Sequence, residues 1–240
     1  MADLPLMTGI DRSRLDSLML SETERFVRTH PKSGAHATTT STLLAGVPMP
    51  WMRRWPGPFP VVLDAASGAR FTDIDGNEYV DLCLGDTGAM TGHAHREINA
   101  AITAQLARGS TAMLPTPDAA WVADELTRRF GLPKWQFAIS ATDANRFLLR
   151  FARAITGKPK VLVHDWCYHG TVDETLVIAM GDRTISRGGA IGPQINPELT
   201  TRVVPFNDLA ALERAASCGD VACMLIEPAL TNIGIVLPEP

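Results

Sequence analysis

Paired cysteines are absent. Cys83, Cys167, Cys218 and Cys223 are scattered with no Cys-x-x-Cys spacing, and three of them sit beside apolar residues. Reduced, buried thiols in a cytoplasmic protein are the expected reading. A strong excess of basic residues is absent: the formal net charge is −4, so nothing marks the whole chain as a nucleic-acid binder. No apolar run approaches the length of a membrane span. Met1 to Ile10 lacks a basic start and a continuous apolar core, which argues against a secretion signal. Lysine is rare, with Lys32, Lys134, Lys158 and Lys160 the complete set. What is present is an ordinary soluble balance, 45% hydrophobic and 20% charged, in 240 residues. That length suits one large or two modest domains with a real core.

The stretch from Lys134 to Ile155 organises the rest. Gln136 to Ile139 is an apolar run of strand length, and Ser140-Ala141-Thr142 are small and polar. A helical pattern follows, with Phe147, Leu148, Phe151, Ala152 and Ile155 on one side. A strand that passes into a helix over small residues aims free N–H groups and the positive end of the helix dipole at one spot. A phosphate suits that spot, with Ser140 and Thr142 hydroxyls as further donors. An ordinary βα turn with a polar cap satisfies the same pattern.

Upstream, Ser21-Glu22-Thr23-Glu24 reads as a capping box opening a helix that stops near His30, before Pro31. Lys32 to Thr42, rich in Thr, Ser, Gly and Ala, is a poor candidate for regular structure. Pro48 to Pro60 holds five prolines with Trp51, Trp55, Arg53 and Arg54. It reads as an ordered loop that lines a substrate pocket or packs over the core. Val61 to Leu63, Ala69 to Thr72 and Glu78 to Leu84, separated by Ser67-Gly68 and Asp75-Gly76-Asn77, read as an antiparallel meander. The acidic residues there do not follow a calcium-loop spacing, since Gly76 falls at the wrong position and no Glu closes the loop. His93-Ala94-His95 has ligand-like spacing without obvious further ligands.

Helices are expected from about Glu97, stopping at Gly109, and from Thr116-Pro117-Asp118 to Phe130. Beyond the central stretch, Val161 to Val163, Val203 to Phe206 and Val221 to Ile226 are apolar runs of strand length. A helix through Leu209, Leu212 and Ala216 lies between the last two. Pro205 pushes its strand to an edge or its end. Strands alternating with helices predict a mostly parallel, doubly covered sheet, with ligands outside the carboxyl ends of the strands. Gly181 to Pro197 reads as a long irregular insert.

Three groups follow strands, where that rule puts a ligand: Ser140-Ala141-Thr142-Asp143-Ala144-Asn145; Trp166-Cys167-Tyr168-His169-Gly170; and Glu227-Pro228 with Asn232-Ile233-Gly234. In this order and spacing they resemble the class III aminotransferases, the branch of fold-type-I pyridoxal-phosphate (PLP) enzymes that includes glutamate-1-semialdehyde aminomutase. Asp73 to Asp81 and Gly92 to His95 are similar to the same family, and the resemblance runs from about Val61 to the C-terminus.

The resemblance implies an α/β fold. It would be a partial fold-type-I large domain, a mostly parallel sheet with flanking helices, preceded by an N-terminal helix, loop and antiparallel meander. Residues 1–96 would form an N-terminal arm and part of a small domain, and 97–240 the first half of the PLP-binding domain. Ser140, Ala141 and Thr142 would hold the cofactor phosphate, and Tyr168, beside His169, would lie against the pyridine ring. Glu227 and Asn232 would stand near the ring and the reacting centre. Ala141 and Asp143 stand where the family usually has Gly and Glu. An alanine there would be strained if the turn required a positive φ.

The Schiff-base lysine and the aspartate partner of the pyridine nitrogen lie downstream of the Glu-Pro motif in the family. None of the four lysines here matches, so no catalytic residue is assigned. The implied whole is a cytoplasmic homodimer that moves an amino group from a small-molecule donor to a carbonyl acceptor, or within one molecule. This chain would be its N-terminal portion, truncated and inactive alone, with apolar strand edges unpaired. Alternatives are a non-catalytic fragment that pairs with a full-length relative, or an unrelated α/β phosphate-ligand binder.

Overall fold

The computed structural model describes residues 9–39, 42–110, 113–192 and 195–239. Most of the Met1–Ile10 reading therefore lies outside the described residues. The chain divides into two compact units, Met1–Pro115 and Thr116–Pro240.

The first unit opens with α1 (Arg12–Thr29) and α2 (Pro31–Thr39). Ser21 is not a cap. The Asp11 side chain accepts the Arg14 N–H at 3.1 Å and starts α1 ten residues earlier than Ser21-Glu22 would, placing Ser21 mid-helix. Arg, Leu and Met are good helix formers, so the helix runs back through Ser21 to a cap at Asp11. Lys32 to Thr39 is helical, contrary to the expectation from its composition. Pro31 opens α2, and the missing local cap comes from far along the chain. Asp75 accepts the N–H groups of Lys32 (2.6 Å) and Ser33 (3.0 Å) and the Ser33 hydroxyl (2.7 Å). One turn of 3₁₀ helix, Pro50–Arg53, interrupts the proline-rich loop.

The antiparallel meander forms, with shifted bounds: β1 (Leu63–Ser67) starts where the expected first strand ended, β2 is Arg70–Asp73, β3 (Glu78–Val80) stops short of Leu84, and they pair in that order. Phe71 and Tyr79 stack across it with ring centroids 4.7 Å apart. Asp73, 1% exposed, accepts from the Asp75 and Asn77 N–H groups, the Asn77 amide and the Tyr79 hydroxyl. Burial raises its carboxyl, but these hydrogen bonds, led by Asn77, outweigh burial and hold it below the ordinary value. Tyr79 also meets His30, whose ring stacks on Phe26 at 4.1 Å. α3 (Arg96–Leu106) ends the unit, and His93 pairs with Asp81 at 2.7 Å.

The second unit holds α4 (Pro117–Phe130), α5 (Ala141–Thr156), β4 (Lys160–His164), β5 (Val177–Met180), β6 (Arg183–Ser186), β7 (Thr201–Val204), α6 (Leu209–Ala216) and β8 (Val221–Leu225). β4 lies between β7 and β8, and both pairings are parallel. Val161, Leu162 and Val163 of this central strand are at most 1% exposed, which is why they read as a continuous apolar run. Pro205 falls just past the end of the edge strand β7, in keeping with its missing donor. Leu149, Val161, Val163, Cys167, Val172, Val177 and Leu230 form one core cluster.

Four expectations change here. Gln136 to Ile139 is not a strand, because no neighbouring strand among the described residues pairs with it; Ile139 is fully exposed. The α5 face carrying Phe147, Leu148, Phe151 and Ile155 is exposed, and Leu149 is the helix residue that enters the core. The start of the supposed insert is ordered: β5 and β6 form a hairpin turned at Gly181, with Met180 opposite Arg183. Cys83 and Cys218 are exposed rather than buried.

Candidate functional site

The α5 N-terminus, the loop after β4 and the loop after β8 carry the residues singled out in the sequence. Ser140 is the N-cap: its Oγ accepts the Asp143 N–H at 3.2 Å and donates to the Asp143 carboxylate at 3.0 Å. Asp143 thus folds back on the cap and serves as a first-turn acid. Ala141 is the first residue of α5 and is absent from the positive-φ positions, so its methyl brings no backbone strain. The N–H groups of Ala141 and Thr142 have no intrahelical acceptor, as the geometry of a helix start requires. They are the free donors of this corner.

Thr142 does more than donate. Its Oγ1 accepts the Thr171 N–H at 3.1 Å, and its own O–H proton stays available for a second partner. Gly170, at φ +82°, makes this approach possible. A Cβ at that position would stand 2.3 Å from Thr142 Oγ1. From the other side, Glu227 Oε1 accepts the Tyr168 N–H at 2.7 Å, and Oε2 accepts the Thr231 N–H at 3.1 Å. Thr142 and Glu227 therefore grip the same loop three residues apart. Asn145, on the next turn of α5, donates its amide to the His169 carbonyl at 3.0 Å.

The Tyr168 side chain is half exposed, while His169 is 7% exposed with an Nε2 that has no partner. Burial pushes the His169 imidazole toward its neutral form, and Glu227 pulls the other way without prevailing. The neighbouring Cys167 thiol is pushed up to about 12, by burial first and then by the Glu227 charge, and is therefore not a nucleophile. Asn232 lies on the exposed loop, bridging to Gly234 through its backbone, and no side-chain contact joins it to the other corners.

The described contacts thus bring Thr142, Tyr168, His169 and Glu227 together and leave Asn232 apart. Asn145, Thr171 and Arg187 were not assigned from the sequence. Arg187 Nη1 and Nη2 donate to the Cys167 and Trp166 carbonyls at 3.2 and 3.3 Å. Asn145 stood within a quoted motif without a role, and no local signal gives any of the three its partner, because each partner is remote in sequence. Lys160 begins β4 at the opposite end of the strand and pairs with Asp220 at 3.1 Å.

Residues 51–240 match the family described as aminotransferase class-III. Among curated relatives, the glutamate-1-semialdehyde 2,1-aminomutase of Methanocella arvoryzae is 36% identical over 76% of this chain and 44% of its own length. That of Methanocaldococcus jannaschii is 34% identical over 82% and 47%. A solved glutamate-1-semialdehyde-aminomutase from Pseudomonas aeruginosa is 49% identical with a TM-score of 0.91, covering 96% of this chain and 51% of that one. A variant of that protein has also been solved in complex with PMP. An omega-transaminase from Sphaerobacter thermophilus is 28% identical with a TM-score of 0.79, covering 87% and 50%. The chain spans about half the length of the relatives it matches. With 190 of its residues under the family pattern and the expected order of corners around β4 and β8, the chain belongs to the class III aminotransferases.

Proposed function

We propose that this chain provides the cofactor-seating part of a PLP-dependent aminotransferase or aminomutase, acting on a small-molecule amino donor and carbonyl acceptor. In that reading, residues 1–96 are an N-terminal arm and part of a small domain, and 97–240 begin the PLP-binding domain. The whole enzyme is a cytoplasmic homodimer. PLP, when bound, supplies the electron sink for moving the amino group.

One observation carries the reading: Thr142 and Glu227, from two different corners, hold the single loop that bears Tyr168 and His169. The residues present fit the cofactor's two ends. Ala141 and Thr142 N–H groups with the Thr142 hydroxyl suit a phosphate, and the half-exposed Tyr168 ring offers a flat apolar face. The unpartnered His169 Nε2 leaves one more polar atom beside them. Ser140 sets the helix start that aims the donors. Glu227 fixes the loop through Oε1 while its Oε2 holds Thr231, next to Asn232 in sequence. Lys160 begins β4 at the end away from these corners, and the resemblance matches none of the four lysines to the Schiff-base position, so no proton transfer by lysine is assigned to these residues. Family membership sets aside the unrelated phosphate-ligand binder.

Equilibrium dialysis of the 240-residue chain against PLP tests this. Binding that weakens about tenfold in Thr142→Val, the loss of one charge-assisted hydrogen bond, is expected. Borohydride reduction of the mixture and peptide mapping should mark no lysine selectively. Stoichiometric labelling of a single lysine, or equal PLP binding by the valine variant, overturns the assignment.

A further inference from the structure

Side chains grip the loop after β4 along nearly its whole length. Asp165 Oδ1 accepts the Trp166 N–H at 3.1 Å and the Ala179 N–H at 2.9 Å. Glu227 takes the Tyr168 N–H, Asn145 reaches the His169 carbonyl and Thr142 takes the Thr171 N–H. The carbonyls of Trp166 and Cys167 both accept from Arg187, whose guanidinium also lies 5.5 Å from the centre of the Trp166 ring. Trp166 has φ +62°, a left-handed conformation that a bulky residue adopts only when its surroundings enforce it. Arg187 is the group that meets both the ring and the carbonyl of that residue. It is set by the hairpin, since it directly follows β6 and its own N–H donates to the Leu176 carbonyl at 2.9 Å.

We propose that Arg187 is a positioning residue: its forked guanidinium, braced by the β5–β6 hairpin, holds the left-handed turn at Trp166 and so fixes where Tyr168 and His169 stand in the cofactor corner. This rests on the proposed function for the identity of the ligand, though not for the geometry of the loop. A guanidinium suits the task because two donors in one rigid plane can meet two successive carbonyls while the plane's face rests on an indole. A lysine head can do only part of this.

Hydrogen–deuterium exchange of the 240-residue chain reads the Tyr168 and Thr171 amides directly. In Arg187→Ala, both amides should exchange about tenfold faster, while those of Val161 and Val163 in β4 stay within about twofold of wild type. Arg187→Lys should fall between. PLP affinity, measured by dialysis on the same samples, should fall about fivefold in the alanine variant. Unchanged exchange at Tyr168 and Thr171 overturns the proposal, as does an equal quickening of the β4 amides, which would mark general destabilisation. A lysine variant indistinguishable from wild type also overturns it, because charge alone would then suffice. If the alanine variant does not fold, wild type against Arg187→Lys decides on the same criteria. A wild-type chain that fails to bind PLP counts against the proposed function, and the exchange comparison still decides the role of Arg187.

Discussion

Gly170 sits at φ +82°, with its α-carbon against Thr142, and both facts exclude a side chain. Gly170→Ala adds a left-handed alanine and a contact that only displacement of Thr142 can relieve. A loss on the order of 1–3 kcal/mol is expected from the backbone alone, read as a lower urea midpoint together with faster exchange at Thr171. Its motif marked Gly170 in the sequence, but the reason for a glycine there is a hydroxyl 28 residues earlier. Thr142 itself was legible as a polar residue at a helix start. That it also accepts a loop amide was not, because sequence shows which atoms a residue has and not what comes within reach of them. The same holds for Arg187, whose partners lie 20 and 21 residues back.

Among the elements, the parallel sheet shows how one charge can tie several strands. Asp220, just before β8, receives Nε and Nη2 of Arg202 on β7 at 2.9 and 2.8 Å and Nζ of Lys160 on β4 at 3.1 Å. Its backbone carbonyl takes the Lys160 N–H at 3.0 Å. Arg202 holds the Asp220 carboxyl down at about 2, against the upward push of burial, with Lys160 adding to it. A carboxyl depressed on folding stabilises the fold above its ordinary pKa of 3.8, and that stability drains away as pH falls toward about 2. Thermal melts of wild type should therefore drop between these limits, and Asp220→Asn should flatten that part of the profile while lowering the melting temperature at neutral pH.

Helices and strands whose determinants are local were readable: the meander from its Gly turns, α4 from Thr116-Pro117, and β4 from its apolar run. α2 was not, since its cap is Asp75, and Gln136 to Ile139 was misread because an apolar run becomes a strand only when a partner offers a ladder.

At the scale of the whole molecule, the exposed apolar surface is the dominant feature. Phe147, Leu148, Phe151 and Ile155 stand 48–83% exposed on one side of α5, where spacings of three and four make them neighbours. α3 and α4 contribute no buried residue among those described. A stripe of this kind drives association in water. The chain should show concentration-dependent self-association by light scattering and strong binding of a hydrophobic dye. Phe151→Glu should reduce both without lowering the unfolding free energy by more than about 0.5 kcal/mol, as for an exposed position. By itself the sequence determined the meander, α4, β4 and the family, because all of these are written in local pattern and residue identity. Only the tertiary structure decided which face of α5 is buried, what caps α2, and that Thr142, Asn145, Arg187 and Glu227 converge on one loop. Each of those depends on groups tens of residues apart arriving within hydrogen-bonding distance, and a periodicity carries no record of that.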